Sequence, residues 1–379
     1  MLKNSQGRRG RLPVPYFWAM KNVFLLLGLL AAHAAPAQMS LTSGEVRHLK
    51  DLIRADATVR SLFDSLRAIA DAALQDDPNP IDTIRTEGLL QGDPRKAATW
   101  AALRDLHKLY ALAMAYRVTR QREYLDKASV YLIAWADSNF SRGDPIDDTN
   151  LDPAIEAYGM IKGNLLPGEN KRIGRWLKRI ADAEIHARFN DSTRTTAHNN
   201  WNSHRLKIVG EIGFAIGDKT LQNYVIAGIR EQIGRNLLPD GRSEDLVSRD
   251  AIHYHLYDLE PLLKLAIVLK QATGADYYTY EAPGGSSIKK SVDWLLPYLD
   301  GRQTHAEFVN STVEFDKRRA QNGESSYKAG TIFDPRSGIA TLLLAAYFDE
   351  SLLALAQRLL GSAEKYPNWQ SVLDDITRK

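Results

Sequence analysis

Residues 198–204 combine side-chain types that could bind a carboxylate and move a proton. They read HNNWNSH and stand before an apolar run, residues 206–216, whose isoleucines recur at four-residue steps. That spacing predicts a helix, and a helix that begins in the polar stretch would place Asn200 and His204 on one face. This face would carry an uncharged hydrogen-bond donor and a titratable imidazole. The alternative is an ordinary polar helix start with asparagine capping.

Further along the chain, Arg249, His253 and Tyr257 stand at four-residue steps, which would align them on one stripe of a helix. Pro261 disfavours helix just before it, so the helix could instead end near Tyr257. Either geometry presents the tyrosine to a cavity. Because a guanidinium lowers the pKa of a nearby phenol, we predict that Arg249 activates Tyr257. The alternative makes Tyr254 and Tyr257 core-edge aromatics and Arg249 a surface charge.

Metal and thiol chemistry are not indicated. The sequence contains no cysteine, which excludes thiol catalysis, cysteine-ligated metals and disulfides. His204, His253 and His255 are the remaining metal candidates. A His-x-His pair on a helix points its rings apart, and no carboxylate stands at a known ligand spacing. We therefore predict a reaction that uses no metal and no cofactor.

A third polar patch, residues 147–150, reads DDTN and precedes a predicted helix. Thr149 or Asn150 would suit the N-cap position of that helix. The same patch could instead hold a substrate hydroxyl or carboxylate at the helix N-terminus.

The elements that position these residues are predicted to be helices, so the fold class is all-α. Apolar residues recur at helical spacing over residues 59–74, 99–118, 124–136, 151–161, 173–185, 206–216, 221–238, 252–269, 288–299 and 339–360, the last splitting near Asp349. Helix pairs of about 40–50 residues are typical of helical repeats. Curling such pairs into an (α/α) toroid would leave a central cleft, and an open solenoid is the alternative.

One long segment interrupts this pattern. Residues 300–335 are irregular, and the best strand signal, residues 306–315, alternates poorly. Long loops of this kind are usually functional or disordered. A lid over the cleft is favoured by the aromatic and basic side chains of the segment, namely Phe308, Phe315, Lys317, Arg318 and Arg319.

The N-terminal region predicts export. Residues 20–37 contain a lysine, a short apolar run and a small-residue end, which is typical of a secretory signal peptide cleaved after Ala37. Residues 1–19 are either a long basic leader or precede a true start at Met20, and an N-terminal membrane anchor is the alternative. We expect a periplasmic or secreted protein whose residues 38–379 form a single toroid domain with no membrane attachment.

Composition narrows the range of partners. The 379-residue chain is 44% hydrophobic and 25% charged, with a net charge of only +3. No basic block stands out, so nucleic-acid binding is not indicated. An enzyme acting on a polyanion remains possible, because the charge of the cleft matters more than the total. We expect a monomer.

Several of these stretches resemble the alginate-lyase superfamily of toroid polysaccharide lyases. The most specific are HNNWNSHRLKIVG at residues 198–210 and RDAIHYHLYDLEPL at residues 249–262. Residues 113–138 and 149–161 resemble the same group. The resemblance implies an (α/α) toroid that cleaves an anionic, uronic-acid-containing polysaccharide by β-elimination.

The chain departs from the best-known alginate lyases of the group, which have Asn-Asn-His consecutively. Here Trp201 follows Asn200, which is more similar to sister families active on glucuronan or alginate. The resemblance carries the catalytic roles to Asn200 (with Asn150 as the alternative), His204, Arg249 and Tyr257. Substrate contacts are assigned to Asn150, Asn199, Trp201, His253 and His255.

These residue types suit β-elimination, which removes the C5 proton beside a carboxylate and releases O4. Asn200 and a histidine can hydrogen-bond the carboxylate and stabilise the enolate-like intermediate. Tyr257 can be both base and acid when the C5 proton and O4 lie on one side of the sugar ring. When they lie on opposite sides, His204 is the better base.

Two other classes of function are open. A toroid glycoside hydrolase would need two carboxylates across the cleft, and Asp147, Asp148, Glu244 and Asp245 are available without an evident pairing. A non-catalytic carbohydrate-binding protein would use Trp201 only as a stacking platform.

Overall fold

The computed structural model describes residues 41–378, so the predicted signal peptide lies outside the described residues. The helices in this range are α1 (Ser43–Ala55), α2 (Ala57–Ala73), α3 (Pro94–Thr119), α4 (Arg122–Ser138), α5 (Pro145–Asp148), α6 (Asp152–Ile161), α7 (Pro167–His186), α8 (Asn200–Ile216), α9 (Lys219–Asn236), α10 (Glu244–Arg249), α11 (Ile252–Thr273), α12 (Ile288–Leu299), α13 (Glu314–Gln321), α14 (Ile339–Ala345), α15 (Leu353–Leu360) and α16 (Trp369–Thr377). Strands β1 (Ala306–Glu307) and β2 (Thr331–Ile332) pair antiparallel. The predicted all-α class is confirmed.

Local sequence signals set many of the helix ends. Helix α3 begins after Asp93, whose carboxylate accepts the N–H of Arg95 at 2.9 Å, and Pro94 takes the first helical position. Helices α8 and α11 end at Gly217 and Gly274, which have φ of 75° and 77°. These left-handed conformations suit glycine because it has no Cβ.

Helix α8 is the centre of the packing around the site. It contacts α5, α6, α7, α9 and α11. Because helices cover it on so many sides, even its polar residues Arg205, Lys207 and Glu211 are buried. Buried charges must find partners in the neighbouring helices, and the partners of Lys207 lie directly beneath the site.

Residues 300–335 are hydrogen-bonded onto the turn between α10 and α11. The N–H of Phe308 donates to the carbonyl of Asp250 at 2.7 Å, and the N–H of Asn310 donates to its carboxylate at 2.8 Å. The carboxylate of Glu307 accepts the N–H of Ile252, at the start of α11, at 3.0 Å. The segment also contains α13, which was not predicted, and the predicted strand at residues 306–315 is reduced to the two residues of β1, paired with β2 of the same segment.

Three local predictions are wrong. Arg249 ends α10, and Asp250 turns the chain with a left-handed φ of 50°, so Arg249 and Tyr257 do not share a helix. Pro261 lies inside α11, so that helix does not end near Tyr257. Asn150 lies in a 3₁₀ turn before α6 and caps no N-terminus. In the described part of the chain, no helix combines the length and apolarity needed to cross a membrane.

Candidate active site

The first turn of α8 presents the polar motif of residues 198–204. Asn199 is the N-cap, and its side-chain oxygen accepts the N–H of Trp201 at 3.1 Å. Asn200 is the first helical residue, so the prediction that Asn200 and His204 lie on one helix is confirmed. Capping explains the presence of Asn199, but it does not explain the contacts of Asn200 and His204.

Asn200 and Arg249 meet through a carboxylate. Asn200 donates its backbone N–H and its side-chain amide to the two oxygens of Asp245, each at 2.7 Å. The Nε atom of Arg249 lies 3.9 Å from the same carboxylate. Burial raises the pKa of Asp245 to about 6, against the effect of these donors. At neutral pH Asp245 is therefore mainly charged and holds both residues at the cleft.

The tyrosine beside Arg249 is Tyr254, which corrects the prediction for Tyr257. The guanidinium carbon of Arg249 lies 3.8 Å from the centroid of the Tyr254 ring. Arg319 donates from Nη1 to the Tyr254 hydroxyl at 2.7 Å, and that hydroxyl donates to Asp316 at 3.2 Å. Burial raises the pKa of Tyr254, while the two guanidinium groups oppose the rise by stabilising the phenolate.

Helix α13 delivers Asp316 and Arg319 to this position. Asp316 accepts from Nη1 of Arg249 at 2.7 Å. Arg319 is held between the rings of Phe315 and Tyr327, at 4.3 and 4.6 Å from their centroids. The planar guanidinium is therefore fixed by stacking as well as by hydrogen bonds.

His204 and Tyr257 form the second pair. Their ring centroids are 4.4 Å apart. The Nδ1 atom of His204 lies 2.9 Å from the hydroxyl of Thr149, and Nε2 lies 3.1 Å from the backbone carbonyl of Tyr257. Burial is the main reason that the pKa of His204 falls to about 3, and the charge of Lys207 adds to the effect. His204 is therefore neutral at every physiological pH.

Tyr257 has a different environment from Tyr254. Its side chain is partly exposed, and its hydroxyl has no hydrogen-bond partner within residues 41–378. Burial raises its pKa, and the negative charges of Glu87 and Asp144 add to the rise. Among the described residues no arginine contributes to stabilising its phenolate, which is the reverse of the predicted arrangement.

The residues predicted to contact substrate are spread over different environments. Trp201 is partly exposed and lies 5.0 Å from Phe189, ring centroid to ring centroid. His253 is exposed, with its ring 5.1 Å from that of Tyr254. The side-chain nitrogen of Asn150 donates to the backbone carbonyl of Asp147 at 2.8 Å.

His255 cannot contact a polymer, so this prediction is corrected. Its side chain has no solvent exposure. Nδ1 lies 2.9 Å from the Ser243 hydroxyl, and Nε2 lies 3.2 Å from the carbonyl of Ser291. The residue after Tyr254 points into the protein because successive helical residues are about 100° apart around the axis.

A model of the alginate lyase family matches residues 56–305. The chain belongs to the alginate lyase family. A polysaccharide lyase of Stenotrophomonas maltophilia is 25% identical over 239 residues, which are 57% of this chain and 70% of the relative. The chain is a polysaccharide lyase, and the toroid hydrolase and the binding protein are not favoured.

Solved structures show the same fold. An alginate lyase from Bacteroides ovatus superposes with a TM-score of 0.64 at 14% identity, covering 87% of this chain and 97% of that chain. Alginate lyase A1-III from Sphingomonas species A1 gives 0.54 at 19% identity, covering 72% and 80%. A variant of A1-III complexed with a tetrasaccharide gives 0.59 at 16% identity, covering 88% and 93%. The predicted (α/α) toroid is confirmed.

The candidate site also contains residues that the sequence analysis does not assign to it. Tyr254 lies in the HYH motif, where the sequence alone offers it only the place of a core-edge aromatic. Arg319 is one of the basic residues of the predicted lid, and the sequence gives it no further role. Asp316 and Arg319 lie beyond the residues that the family model matches. No local pattern links them to Tyr254, which is 65 residues from Arg319 in the chain.

No metal centre is evident in the lyase. Among residues 41–378, no three or more His, Asp or Glu side chains are grouped so that they could hold a metal ion. The absence of a metal in catalysis stays a prediction.

Proposed function

We propose that this lyase cleaves a uronic-acid polysaccharide of the alginate or glucuronan type by β-elimination. The solved relatives named alginate lyases support this substrate class, as does the tetrasaccharide in one of them. The reaction breaks the C5–H and C4–O4 bonds of one uronate and forms a C4–C5 double bond. The O4 oxygen leaves with a proton, so the products are a new chain end and an unsaturated uronide.

Asn200 and Arg249 are suited to the substrate carboxylate. That carboxylate becomes part of the enolate-like intermediate, so donors directed at it lower the barrier to removal of the C5 proton. Within residues 41–378, Nη2 of Arg249 has no hydrogen-bond partner, while Nη1 is held by Asp316. Asp245 keeps Asn200 and Arg249 side by side. The free guanidinium edge can therefore meet an incoming carboxylate without first losing a partner.

Tyr254 is suited to moving the protons, and its position between two guanidinium groups is the observation that carries the proposal. Its phenol is neutral at neutral pH and can donate to O4. The phenolate form, which Arg249 and Arg319 stabilise, is the base that takes the C5 proton, and the phenol so formed donates that proton to O4. One oxygen can serve both steps when the C5 proton and O4 lie on the same face of the ring.

The test is a cleavage assay on a panel of polymers. Purified protein is incubated with mannuronate-rich and guluronate-rich alginate, glucuronan, hyaluronan and chondroitin, and ultraviolet absorbance of the unsaturated uronide is followed. We expect a rise with an alginate fraction or with glucuronan. New reducing ends without absorbance would indicate hydrolysis, and binding without cleavage would indicate a carbohydrate-binding protein. Either result would overturn the proposal.

We also propose that the lyase is exported and acts as a monomer. The support for export is the signal-peptide pattern of residues 20–37. A large polysaccharide substrate is also encountered outside the cytoplasm, which is consistent with export. N-terminal sequencing of the secreted or periplasmic protein should begin at Gln38, and light scattering should give the mass of one chain. A retained leader in the membrane fraction would support the anchor instead.

A further inference from the structure

Pro261 creates a gap in the hydrogen bonding of α11. In an α-helix the carbonyl of residue 257 accepts the N–H of residue 261, but proline has no N–H. The carbonyl of Tyr257 therefore lacks its usual donor. Nε2 of His204 lies 3.1 Å from this oxygen and supplies the missing bond.

This contact determines which nitrogen of His204 carries the proton. A carbonyl can only accept, so Nε2 must be protonated. A neutral imidazole has one N–H, so Nδ1 must be an acceptor, and its partner is the hydroxyl of Thr149 at 2.9 Å. The hydroxyl hydrogen of Thr149 is thereby committed to His204.

Lys207 completes the chain from the opposite side. Its ammonium group donates to the Thr149 oxygen at 2.6 Å and also contacts Asp152, which pairs with Lys264 at 3.1 Å. An ammonium group has no lone pair, so it can only donate to Thr149. All donors therefore run in one direction, from Lys207 through Thr149 and His204 to the carbonyl of Tyr257.

We propose that His204 is a positioning residue, held in its neutral Nε2–H form by Thr149 and Lys207, and not the base of the elimination. Both nitrogens are occupied, so neither is available to take the C5 proton. Protonation at Nδ1 would require Thr149 to turn its hydrogen away and would place a second cation beside Lys207. Through its bond to the Tyr257 carbonyl, His204 instead fixes the first turns of α11, which carry Tyr254 and Tyr257, where Pro261 removes a helical hydrogen bond.

Nuclear magnetic resonance tests the protonation state directly. In protein labelled with ¹⁵N-histidine, long-range proton–nitrogen spectra show which ring nitrogen carries hydrogen, and a His204→Asn variant assigns the signals. We expect an Nε2–H imidazole that stays neutral from about pH 9 down to about pH 5. A histidine with an ordinary pKa would already be charged at about pH 5. A proton on Nδ1, or a titration between pH 6 and 7, would overturn the proposal.

His255 is an internal control in the same spectrum. It lies on α11 and, like His204 on α8, has a hydroxyl at Nδ1 and a carbonyl at Nε2. Lys207→Met should disturb the Nδ1 signal of His204 and leave both signals of His255 unchanged. Because that change leaves buried Asp152 with only Lys264 and can unfold the chain, Thr149→Val is the second variant and Thr149→Ser its rescue. Unchanged His204 signals in a folded Lys207→Met or Thr149→Val protein would contradict the proposal.

A kinetic test, which rests on the proposed elimination, separates positioning from base catalysis. Thr149→Val should lower kcat about tenfold with KM nearly unchanged, Thr149→Ser should restore it, and the pH–rate profile should keep its shape. A shift of an ionisation in that profile would mean that His204 titrates during turnover and is the base. A protein that cleaves no uronate polymer would refute the proposed function, while the spectra would still decide the state of His204.

Discussion

Tyr254 and Tyr257 lie one turn apart on α11, yet their electrostatic environments are opposite. Tyr254 has Arg319 at its hydroxyl and Arg249 over its ring. Tyr257 has acidic neighbours that raise its pKa, and its ring packs against that of neutral His204. The guanidinium charges beside Tyr254 thus oppose the rise in its pKa that burial causes, while the acidic charges beside Tyr257 add to that rise. Residue type and spacing do not distinguish Tyr254 from Tyr257. The charges around each hydroxyl distinguish them.

The largest expected effect is that of Tyr254→Phe. The ring and its packing remain, while the transferable proton disappears, so kcat should fall about 10²- to 10⁴-fold. Steady-state assays on the preferred polymer measure the loss, and a thermal melt close to the parent confirms folding. Near-normal turnover would remove Tyr254 from the mechanism.

Asn200→Ala should have the second-largest effect. We expect kcat to fall by about 10²- to 10³-fold, which is typical of losing one donor to an oxyanion. The substrate carboxylate would lose a partner as negative charge develops on it. Asn202→Ala is the matched control, because Asn202 lies on the same helix turn and donates to Gln232 instead. Equal losses in both variants would indicate damage to α8 and not a catalytic role.

Arg319→Gln tests the electrostatic half of the comparison. Removing the cation destabilises the phenolate, so the pKa of Tyr254 should rise further, and the alkaline rise of kcat/KM should move to higher pH. We expect a loss of about tenfold near neutral pH, the effect of one pKa unit. Arg318→Gln is the control, since Arg318 is exposed and its guanidinium lies over the Phe315 ring. A profile that does not shift would contradict the role of Arg319.

Tyr257→Phe should have the smallest effect, less than about tenfold in kcat, because its hydroxyl makes no hydrogen bond in the described structure. The phenyl ring can still pack against His204. This variant is assayed beside Tyr254→Phe on the same polymers. A loss as large as that of Tyr254→Phe would return the acid role to Tyr257, as the sequence predicted.

The sequence predicted the helices well because their signals are local. Apolar spacing located α8 and α11, and the split near Asp349 is present between α14 and α15. The turn at Asp250 was missed because a left-handed conformation at a residue other than glycine has no strong sequence signal. The alternative that Pro261 ends the helix near Tyr257 is also wrong, because His204 supplies the donor that the proline removes.

By itself, the sequence determined the all-α class, the family and the placement of Asn200 and His204 on one helix. These follow from periodicity and motifs, which involve residues close together in the chain. Only the tertiary structure decided that Arg249 serves Tyr254, that Asp316 and Arg319 join the site, and that both nitrogens of His204 are occupied. The reason is physical: the contacts of Asp316, Arg319 and His204 join residues about 50 to 70 positions apart, and the packing of α8, α11 and α13 brings them within hydrogen-bond distance. Arg249 and Tyr254 are close in the chain but lie on separate helices, so the turn at Asp250 sets their contact.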